Sequence, residues 1–260
     1  MRIVSLAPSN TEILFALGAG DQVVACTAYC DYPPEAKKLP KVGGWTTISN
    51  ELIRKYQPDL ILTSTIVQKD AKKRFAGEKF RVEHINVVTV ADILKSIERI
   101  SELIGKRQNA KRLKQEIKQK LESLRTTDYG LRTSKLKVYI EEWFDPPMAS
   151  GNWVIELIEI AGGVPMLKRG DISRATVLSE VEGFDPDVII LAYCGYMDKS
   201  DPQIIKKRWP KLRAVKEGKI FVIDERVLNR PGPRIWQAAD QCSQIITDTI
   251  PFLTDRSKMV

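Results

Sequence analysis

The chain has 260 residues, of which 41 are Lys or Arg and 33 are Asp or Glu, so its formal net charge is +8 at pH 7. A hydrophobic fraction of 43% and a charged fraction of 28% argue against a disordered chain, a collagen and a small disulfide scaffold. The single histidine, His84, argues against a metal site built from two or three imidazoles. The length predicts one large domain or two lobes.

The first part of the chain alternates between strand and helix patterns. A strand at residues 2–6 runs through a Pro/Ser/Asn loop into a helix that ends at Gly18. A short helix at residues 48–53 is stopped by a Pro-Asp pair and followed by a buried strand at residues 60–62. His84 lies in a further strand pattern, where a structural role and a catalytic one both remain open.

One long helix follows. Apolar residues recur every three or four positions from residue 91 to residue 125, which predicts a helix of about 35 residues and roughly 50 Å. Thr89 and Asp92 offer a capping box at its start. The other face is strongly basic and could bind nucleic acid or an acidic membrane. Because no aromatic residue interleaves with the charges, we expect a solvated face and no nucleic-acid partner.

The second half repeats the order of the first. A strand at residues 137–142 leads into a helix that ends at Gly162. A short helix from Leu178 stops at a second Pro-Asp pair, and a buried strand follows at residues 188–190.

These patterns predict an α/β fold of two lobes with mainly parallel sheets, joined by one long α-helix, with a ligand cleft between the lobes. We place the N-terminal lobe at residues 1–90, the linking helix at 91–127 and the C-terminal lobe at 128–260.

Aromatic residues concentrate in the predicted loops, a pattern typical of sites for a large flat or apolar ligand. Any single ring could equally fill the core of its own lobe. The candidates are Tyr29, Tyr32, Trp45, Trp143, Phe144 and Trp153.

The segment from Asn229 to Arg234 is a second candidate, since two prolines and a glycine make a tight, rigid turn. Arg230 or Arg234 could donate to ligand amides or carboxylates, or could cap the sheet edge through ion pairs. Both interpretations remain open for each arginine.

Signatures of enzymes are missing from the sequence. It has no complete dinucleotide fingerprint, no phosphate loop, no His-Glu-x-x-His and no nucleophile elbow. We therefore predict a binding protein without catalytic residues, a bound metal or a cofactor. No apolar run approaches the roughly 18 residues of a membrane span, so we expect no membrane insertion.

The four cysteines show no zinc-type spacing. Free thiols are the favoured interpretation, with disulfides as the alternative. They are Cys26, Cys30, Cys194 and Cys242.

Four segments in order carry a resemblance to a known family: residues 2–24, 30–53, 141–163 and 229–241. They resemble the cobalamin-binding members of the helical-backbone (class III) periplasmic binding proteins, closest to the leaderless members. The resemblance implies a protein that clamps a corrinoid between two lobes and, in the transporter members, presents it to an ABC permease. Cobalamin is then a ligand rather than a cofactor.

The resemblance also implies roles for particular residues. Tyr32 and Trp45 match aromatic residues that contact the corrin from the first lobe, and Met148 matches a bulky apolar contact from the second. Arg230 matches an arginine near the edge of the ligand.

Docking to a permease is implied for two carboxylates. Glu51 matches a carboxylate that pairs with permease arginines, and its second-lobe counterpart is Glu180 or Glu182.

The chain also departs from the family pattern. Ser64 or Thr65, and Ala175, stand where transporter members often have tryptophan. Cys242 aligns with a family cysteine whose usual partner position is Ala161 here, which removes that disulfide and suits a reducing compartment. We expect a monomer that is cytoplasmic as the chain stands, or periplasmic or extracellular if a leader was removed.

Two other functions stay open. A haem or ferric-siderophore binding protein could use the same fold, and Tyr29 is available to ligate haem iron. A chelatase-like enzyme with an active site between the lobes would need His84 or a carboxylate cluster directed into the cleft.

Overall fold

The computed structural model describes residues 1–64, 68–126, 135–196 and 199–250. The chain packs as two compact units. Unit 1 holds Met1–Lys120 together with Arg230–Ile235, and unit 2 holds Leu121–Asn229 and the chain from Trp236 onward. The lobe boundaries at residues 90 and 127 stay a prediction.

Unit 1 contains a four-stranded sheet in which every strand pairing is parallel, in the order β2-β1-β3-β4. Residues of β1 and β3 are buried throughout, as expected for strands of a parallel sheet that is covered on both faces. The strands are β1 (Ile3–Ser5), β2 (Val23–Cys26), β3 (Leu60–Ser64) and β4 (Arg81–Ile85).

Helices of unit 1 follow the strands in sequence. The first begins at a proline, which suits the first turn, and ends before Gly18, whose φ is 71°. Ser49 caps the second by accepting from the Leu52 N–H. They are α1 (Pro8–Ala16), α2 (Asn50–Lys55), α3 (Ala71–Arg74) and α4 (Val90–Leu103), with 3₁₀ turns at Gly20–Gln22 and Pro34–Lys38.

The predicted linking helix is two helices. The capping box of Thr89 and Asp92 begins α4 as expected, but α4 ends at Leu103 and α5 spans Arg107–Thr126. Gly105 lies between them with a φ of 70°. The prediction of one unbroken helix is therefore wrong. The spacing of apolar residues does not reveal the break, because buried apolar residues continue at helical spacing on both sides of it.

Replacing Gly105 with alanine should lower the free energy of unfolding by about 1 kcal/mol, because an alanine at positive φ is strained even in open space. Gly183, which lies in a helix and also has no neighbour near an added Cβ, is the matched control. Gly183→Ala should raise stability by about 0.5–1 kcal/mol. Urea unfolding of both variants measures the contrast, and equal shifts in the same direction would contradict it.

Unit 2 contains a six-stranded sheet. Strands β10, β9 and β5 lie side by side in parallel, and β7 also pairs in parallel with β5. Strand β6 turns back antiparallel onto β5 and pairs with β8. The strands are β5 (Lys137–Phe144), β6 (Pro147–Ala149), β7 (Val164–Pro165), β8 (Arg174–Ala175), β9 (Val188–Leu191) and β10 (Ile220–Val222).

The helices of unit 2 include the short helix before the second Pro-Asp pair, as predicted. They are α6 (Trp153–Ile160), α7 (Leu178–Phe184), α8 (Pro202–Arg208), α9 (Arg213–Lys216), α10 (Glu225–Leu228) and α11 (Ile235–Thr249). In the parts of the chain that the structure describes, no helix is long and apolar enough to span a membrane.

The α/β class with mainly parallel sheets is confirmed. The loop assignment of three aromatic residues is wrong. Trp143 and Phe144 end β5 and Trp153 begins α6, because β5 runs on past its parallel neighbours into the β5–β6 hairpin.

Candidate functional site

The first candidate surface lies in unit 1, just after the carboxyl end of β2. Two aromatic side chains there are exposed although they are large, Tyr29 by 50% and Tyr32 by 42%. Loops at this end of parallel strands are where α/β proteins place their ligands. We call Tyr29, Tyr32, Trp45, Arg230 and Arg234 the Tyr32 surface.

A cation holds the Tyr32 ring in place. The guanidinium of Arg234 lies 3.9 Å from the ring centroid, within the range of a cation–π interaction. Arg234 also donates to both carboxylate oxygens of Glu12, at 2.6 and 2.8 Å. Glu12 is a buried residue of α1, 3% exposed, so the clamp on Tyr32 is anchored in the core of unit 1.

Arg230 lies deeper than Arg234. It is 9% exposed and forms ion pairs with Glu12 and with Asp31, the residue before Tyr32. Ion pairing therefore applies to both arginines, and Arg234 also contacts the ring of Tyr32. The predicted contact between Arg230 and a ligand stays a prediction.

Trp45 is half-buried in the loop that leads to α2. Its carbonyl oxygen accepts from the Gln68 side-chain amide at 3.1 Å. Its indole N–H is buried without an acceptor among the described residues. A buried donor without an acceptor costs about 1–3 kcal/mol, so a group that supplied one would stabilise it.

The second candidate surface lies in unit 2, at the carboxyl ends of β5 and β9. Trp143 and Phe144 stack with centroids 5.6 Å apart, and Tyr196 meets them edge-on at 5.3 and 6.0 Å. Tyr193 packs against Phe144 at 5.6 Å, and the Lys199 ammonium lies 4.5 Å from the Tyr196 centroid. We call Trp143, Phe144, Tyr193 and Tyr196 the β5 aromatic cluster.

The hairpin adds an apolar neighbour to this cluster, and a residue with a buried carboxyl precedes Trp143 in the strand. Met148 pairs with Trp143 in the β5–β6 register. Beside Trp143, Glu142 accepts from the Ser150 hydroxyl at 2.8 Å. Burial raises the pKa of the Glu142 carboxyl, against the opposing effect of the Ser150 and Ser173 hydrogen bonds.

Sequence reasoning missed Tyr196 and Lys199. The signal was present, since Tyr193 and Tyr196 directly follow the buried strand β9. The sequence also did not distinguish between a ligand contact and an ion pair for Arg234, and it gave no sign of Glu12. These two residues are 222 positions apart in the chain.

Two other candidates occupy structural positions. Trp153 is 7% exposed and donates from its indole to the Leu228 carbonyl, so it packs within unit 2. Its contact with a ligand stays a prediction. His84 bonds the Thr63 hydroxyl at 2.9 Å between neighbouring strands, which fits the structural interpretation.

The two predicted docking carboxylates differ in their surroundings. Glu51 is exposed in the first turn of α2. Glu180 forms an ion pair with Arg174 at 3.1 Å and accepts a hydrogen bond from the Thr176 hydroxyl. These two contacts lower the pKa of its carboxyl to about 2. Glu182, the other candidate, is exposed. Docking by any of the three stays a prediction.

The cysteines are all free thiols, as predicted. Cys242 is buried and free, as the alanine at position 161 implies. Of the positions expected to lack a tryptophan, Ser64 is buried in the sheet of unit 1 and Ala175 lies in β8, while Thr65 is outside the described residues. Within the described ranges, no group of three or more His, Cys, Asp or Glu residues could hold a metal ion.

Comparison with known proteins gives relatives along nearly the whole chain. A vitamin B12-binding protein of Photorhabdus laumondii is 28% identical over 257 residues, covering 95% of this chain and 88% of that one. The crystal structure of the periplasmic vitamin B12 binding protein BtuF of Vibrio cholerae has a TM-score of 0.77 at 27% identity, with 95% and 97% of the chains covered.

A periplasmic heme-binding protein, RhuT from Roseiflexus sp. RS-1, shares the fold with a TM-score of 0.81 at 24% identity, covering 95% of this chain and 98% of that one. The family model described as periplasmic binding protein matches residues 3–227. The chain therefore belongs to the periplasmic binding protein family.

Proposed function

We propose that the chain binds cobalamin or a related corrinoid without transforming it. The observation that carries the proposal is the exposed Tyr32 ring, which stacks on Arg234. Arg234 is in turn hydrogen-bonded to the buried carboxylate of Glu12. An aromatic ring fixed before the ligand arrives loses little entropy on binding, which suits a broad and largely apolar macrocycle. Relatives at 27% and 28% identity that are named for vitamin B12 point to the corrin ring.

The polar rim of a corrin, which carries amide side chains, needs donors and acceptors beside the rings. Arg234 is the donor beside Tyr32 on the first surface. On the second surface, Lys199 lies next to the β5 aromatic cluster. We propose that Arg234 binds an amide while Tyr32 and Trp45 contact the ring. On the second surface, taken by itself, we propose the same role for Lys199 and ring contact for Trp143, Phe144 and Tyr196.

A panel of ligands tests the proposal. The purified chain is titrated with cyanocobalamin, cobinamide, haemin and a ferric siderophore, while tryptophan fluorescence is followed with correction for absorbance by the ligand. Saturable quenching by the two corrinoids is expected. Saturation by haemin alone would instead favour the haem alternative, for which the half-exposed phenol of Tyr29 is a suitable iron ligand.

Variants of the first surface give the residue-level prediction. Tyr32→Ala and Trp45→Ala should each weaken cyanocobalamin binding at least about tenfold, equal to about 1.4 kcal/mol, because each removes a ring from the surface. Tyr32→Phe keeps the ring and should bind within about threefold of the parent chain. Unchanged affinity in both alanine variants would show that the site lies elsewhere.

Delivery of the corrinoid to an ABC permease is the role we propose for the exposed Glu51. Glu51→Arg should weaken docking to the permease by placing like charge against arginine, without changing corrinoid affinity. Lys55→Glu, a charge change at the other end of α2, is the control. Uptake in reconstituted vesicles measures the effect, and an unaltered rate would argue against a transport role.

An intracellular corrinoid binder is the second candidate role. The four free thiols favour it, since such residues are typical of a reducing compartment. Fractionation of cells that express the chain, with detection in the cytoplasm or beyond the membrane, distinguishes the two roles.

A further inference from the structure

Two cysteines in unit 1 meet below the Tyr32 surface. Strand β2 ends at Cys26, and a turn closed by the Cys30 N–H and the Thr27 carbonyl brings Cys30 back to it. The Lys41 ammonium contacts both residues, at the Cys26 sulfur and at the Cys30 carbonyl oxygen. They lie four positions apart, and nothing in the proposed ligand site uses them.

Donors surround this pair. The Lys41 ammonium lies 3.2 Å from the Cys26 sulfur and is held in place by the carbonyls of Cys30 and Ala36, at 3.0 and 2.9 Å. The Thr11 hydroxyl lies 3.1 Å from the Cys30 sulfur. A positive charge and a hydroxyl directed at sulfur atoms are the surroundings that stabilise a thiolate.

The pair accordingly differs from the other two cysteines. The hydrogen bond from Cys26, followed by those from the two threonines, lowers the pKa of Cys30 against the effect of burial, and the pKa of Cys26 is raised. Burial raises the pKa of Cys194 and of Cys242 to about 12. The ammonium and the hydroxyl beside the pair therefore favour a thiolate there, while burial favours the protonated thiols of Cys194 and Cys242.

We propose that Cys26 and Cys30 are a reactive dithiol, which low-molecular-weight disulfides oxidise to an intramolecular disulfide in the folded chain. The Cys30 thiolate attacks one sulfur of the reagent and expels a thiolate, which takes the proton of Cys26. Cys26 then attacks the Cys30 sulfur and expels the second thiolate. Two protein thiols become one disulfide, and the reagent disulfide is reduced to two thiols.

Access to the pair is through the loop that carries the Tyr32 surface. Both sulfurs are buried, but Cys30 lies between Tyr29, which is 50% exposed, and Asp31, whose side chain is 26% exposed. Two backbone hydrogen bonds hold the turn, from the Cys30 N–H to the Thr27 carbonyl and from the Ala28 N–H to the Gly43 carbonyl. A small reagent is therefore the suitable probe.

Mass spectrometry tests the proposal directly. The folded chain is treated with 2-hydroxyethyl disulfide at pH 7, quenched with acid, alkylated in denaturant and digested with trypsin. Residues 3–37 form one tryptic peptide that contains both cysteines. We expect this peptide to lose two hydrogen atoms and escape alkylation, while the peptides with Cys194 and Cys242 are alkylated fully.

Two variants examine the order of the steps. Cys26→Ser should trap the mixed disulfide on Cys30. Lys41→Met should slow closure of the disulfide several-fold and let the same adduct accumulate, because the developing Cys26 thiolate loses its cation. Circular dichroism and urea unfolding confirm that each variant is folded.

Full alkylation of the 3–37 peptide after treatment of the folded chain would overturn the proposal. So would an absence of adduct on Cys30 in the Cys26→Ser variant, or oxidation of Cys242 at the same rate as the pair. None of these outcomes depends on whether the chain binds a corrinoid.

Discussion

Replacing Glu12 with alanine should lower the free energy of unfolding by about 3–5 kcal/mol, because it removes the buried carboxylate that two largely buried guanidinium groups share. Glu12 is 3% exposed and is the shared acceptor of Arg230 and Arg234, whose side chains are only 10% and 14% exposed. Two guanidinium groups share this one carboxylate, and Arg230 has a second ion pair with Asp31. Chemical denaturation at pH 7 measures the loss.

The same substitution should also release Tyr32, since the arginine that stacks on its ring loses its anchor. Corrinoid affinity is therefore expected to fall together with stability. Glu78→Ala is the control, because its partner Arg54 has a side chain 55% exposed, and pairs of that kind contribute about 1 kcal/mol or less. Equal losses for Glu12→Ala and Glu78→Ala would contradict the assignment.

Replacing Arg208 with methionine should cost about 3–5 kcal/mol at pH 7, because Glu141 is fully buried in unit 2 and loses its only cation among the described contacts. The carboxylate would keep two donors, the hydroxyls of Tyr139 and Tyr193 at 2.9 and 2.7 Å. Two neutral hydrogen bonds do not replace the charge of the guanidinium.

The pH dependence of this loss has a definite sign. Burial raises the pKa of the Glu141 carboxyl above its ordinary value of 4.5, so the folded chain binds this proton more tightly than the unfolded chain. Stability from this group therefore rises as the pH falls from neutral toward 4.5. Removal of Arg208 raises that pKa further, so the cost of Arg208→Met should shrink at pH 5.

Adding Glu141→Gln to Arg208→Met should recover much of the stability at pH 7, since the buried charge is then gone. Urea unfolding at pH 7 and pH 5 provides both comparisons. A cost that is the same at the two pH values, or no recovery in the double variant, would contradict a charged Glu141 in the core.

Much of the fold is predictable from local signals in the sequence. The capping residues of α4, the glycine after α1 and the two Pro-Asp stops each act within a few positions, and the structure has the elements they indicate. Gly105 shows the limit of this approach. Gly105 favours the end of a helix, whereas the apolar repeat continues past it and favours an unbroken helix. The repeat alone does not show that the helix ends there.

The candidate site was predictable in part, for a related physical reason. Tyr32 stands beside two prolines in a loop after a strand, a local signal that the chain exposes it. The choice between Arg230 and Arg234 depends on Glu12 and Asp31, about 200 residues earlier, and no local pattern indicates such a contact. Trp153 also appeared to be a loop residue, because only the backbone at Asn152, with a φ of 54°, shows where α6 begins.

Competitive equilibrium dialysis tests the central claim most directly. The chain is placed on one side of a membrane, and equal concentrations of cyanocobalamin and haemin are supplied to both sides. Absorbance then measures the excess of each on the protein side. The account predicts retention of about one cyanocobalamin per chain, lost in the Tyr32→Ala, Trp45→Ala double variant. Even distribution of cyanocobalamin, with haemin retained instead, would contradict it.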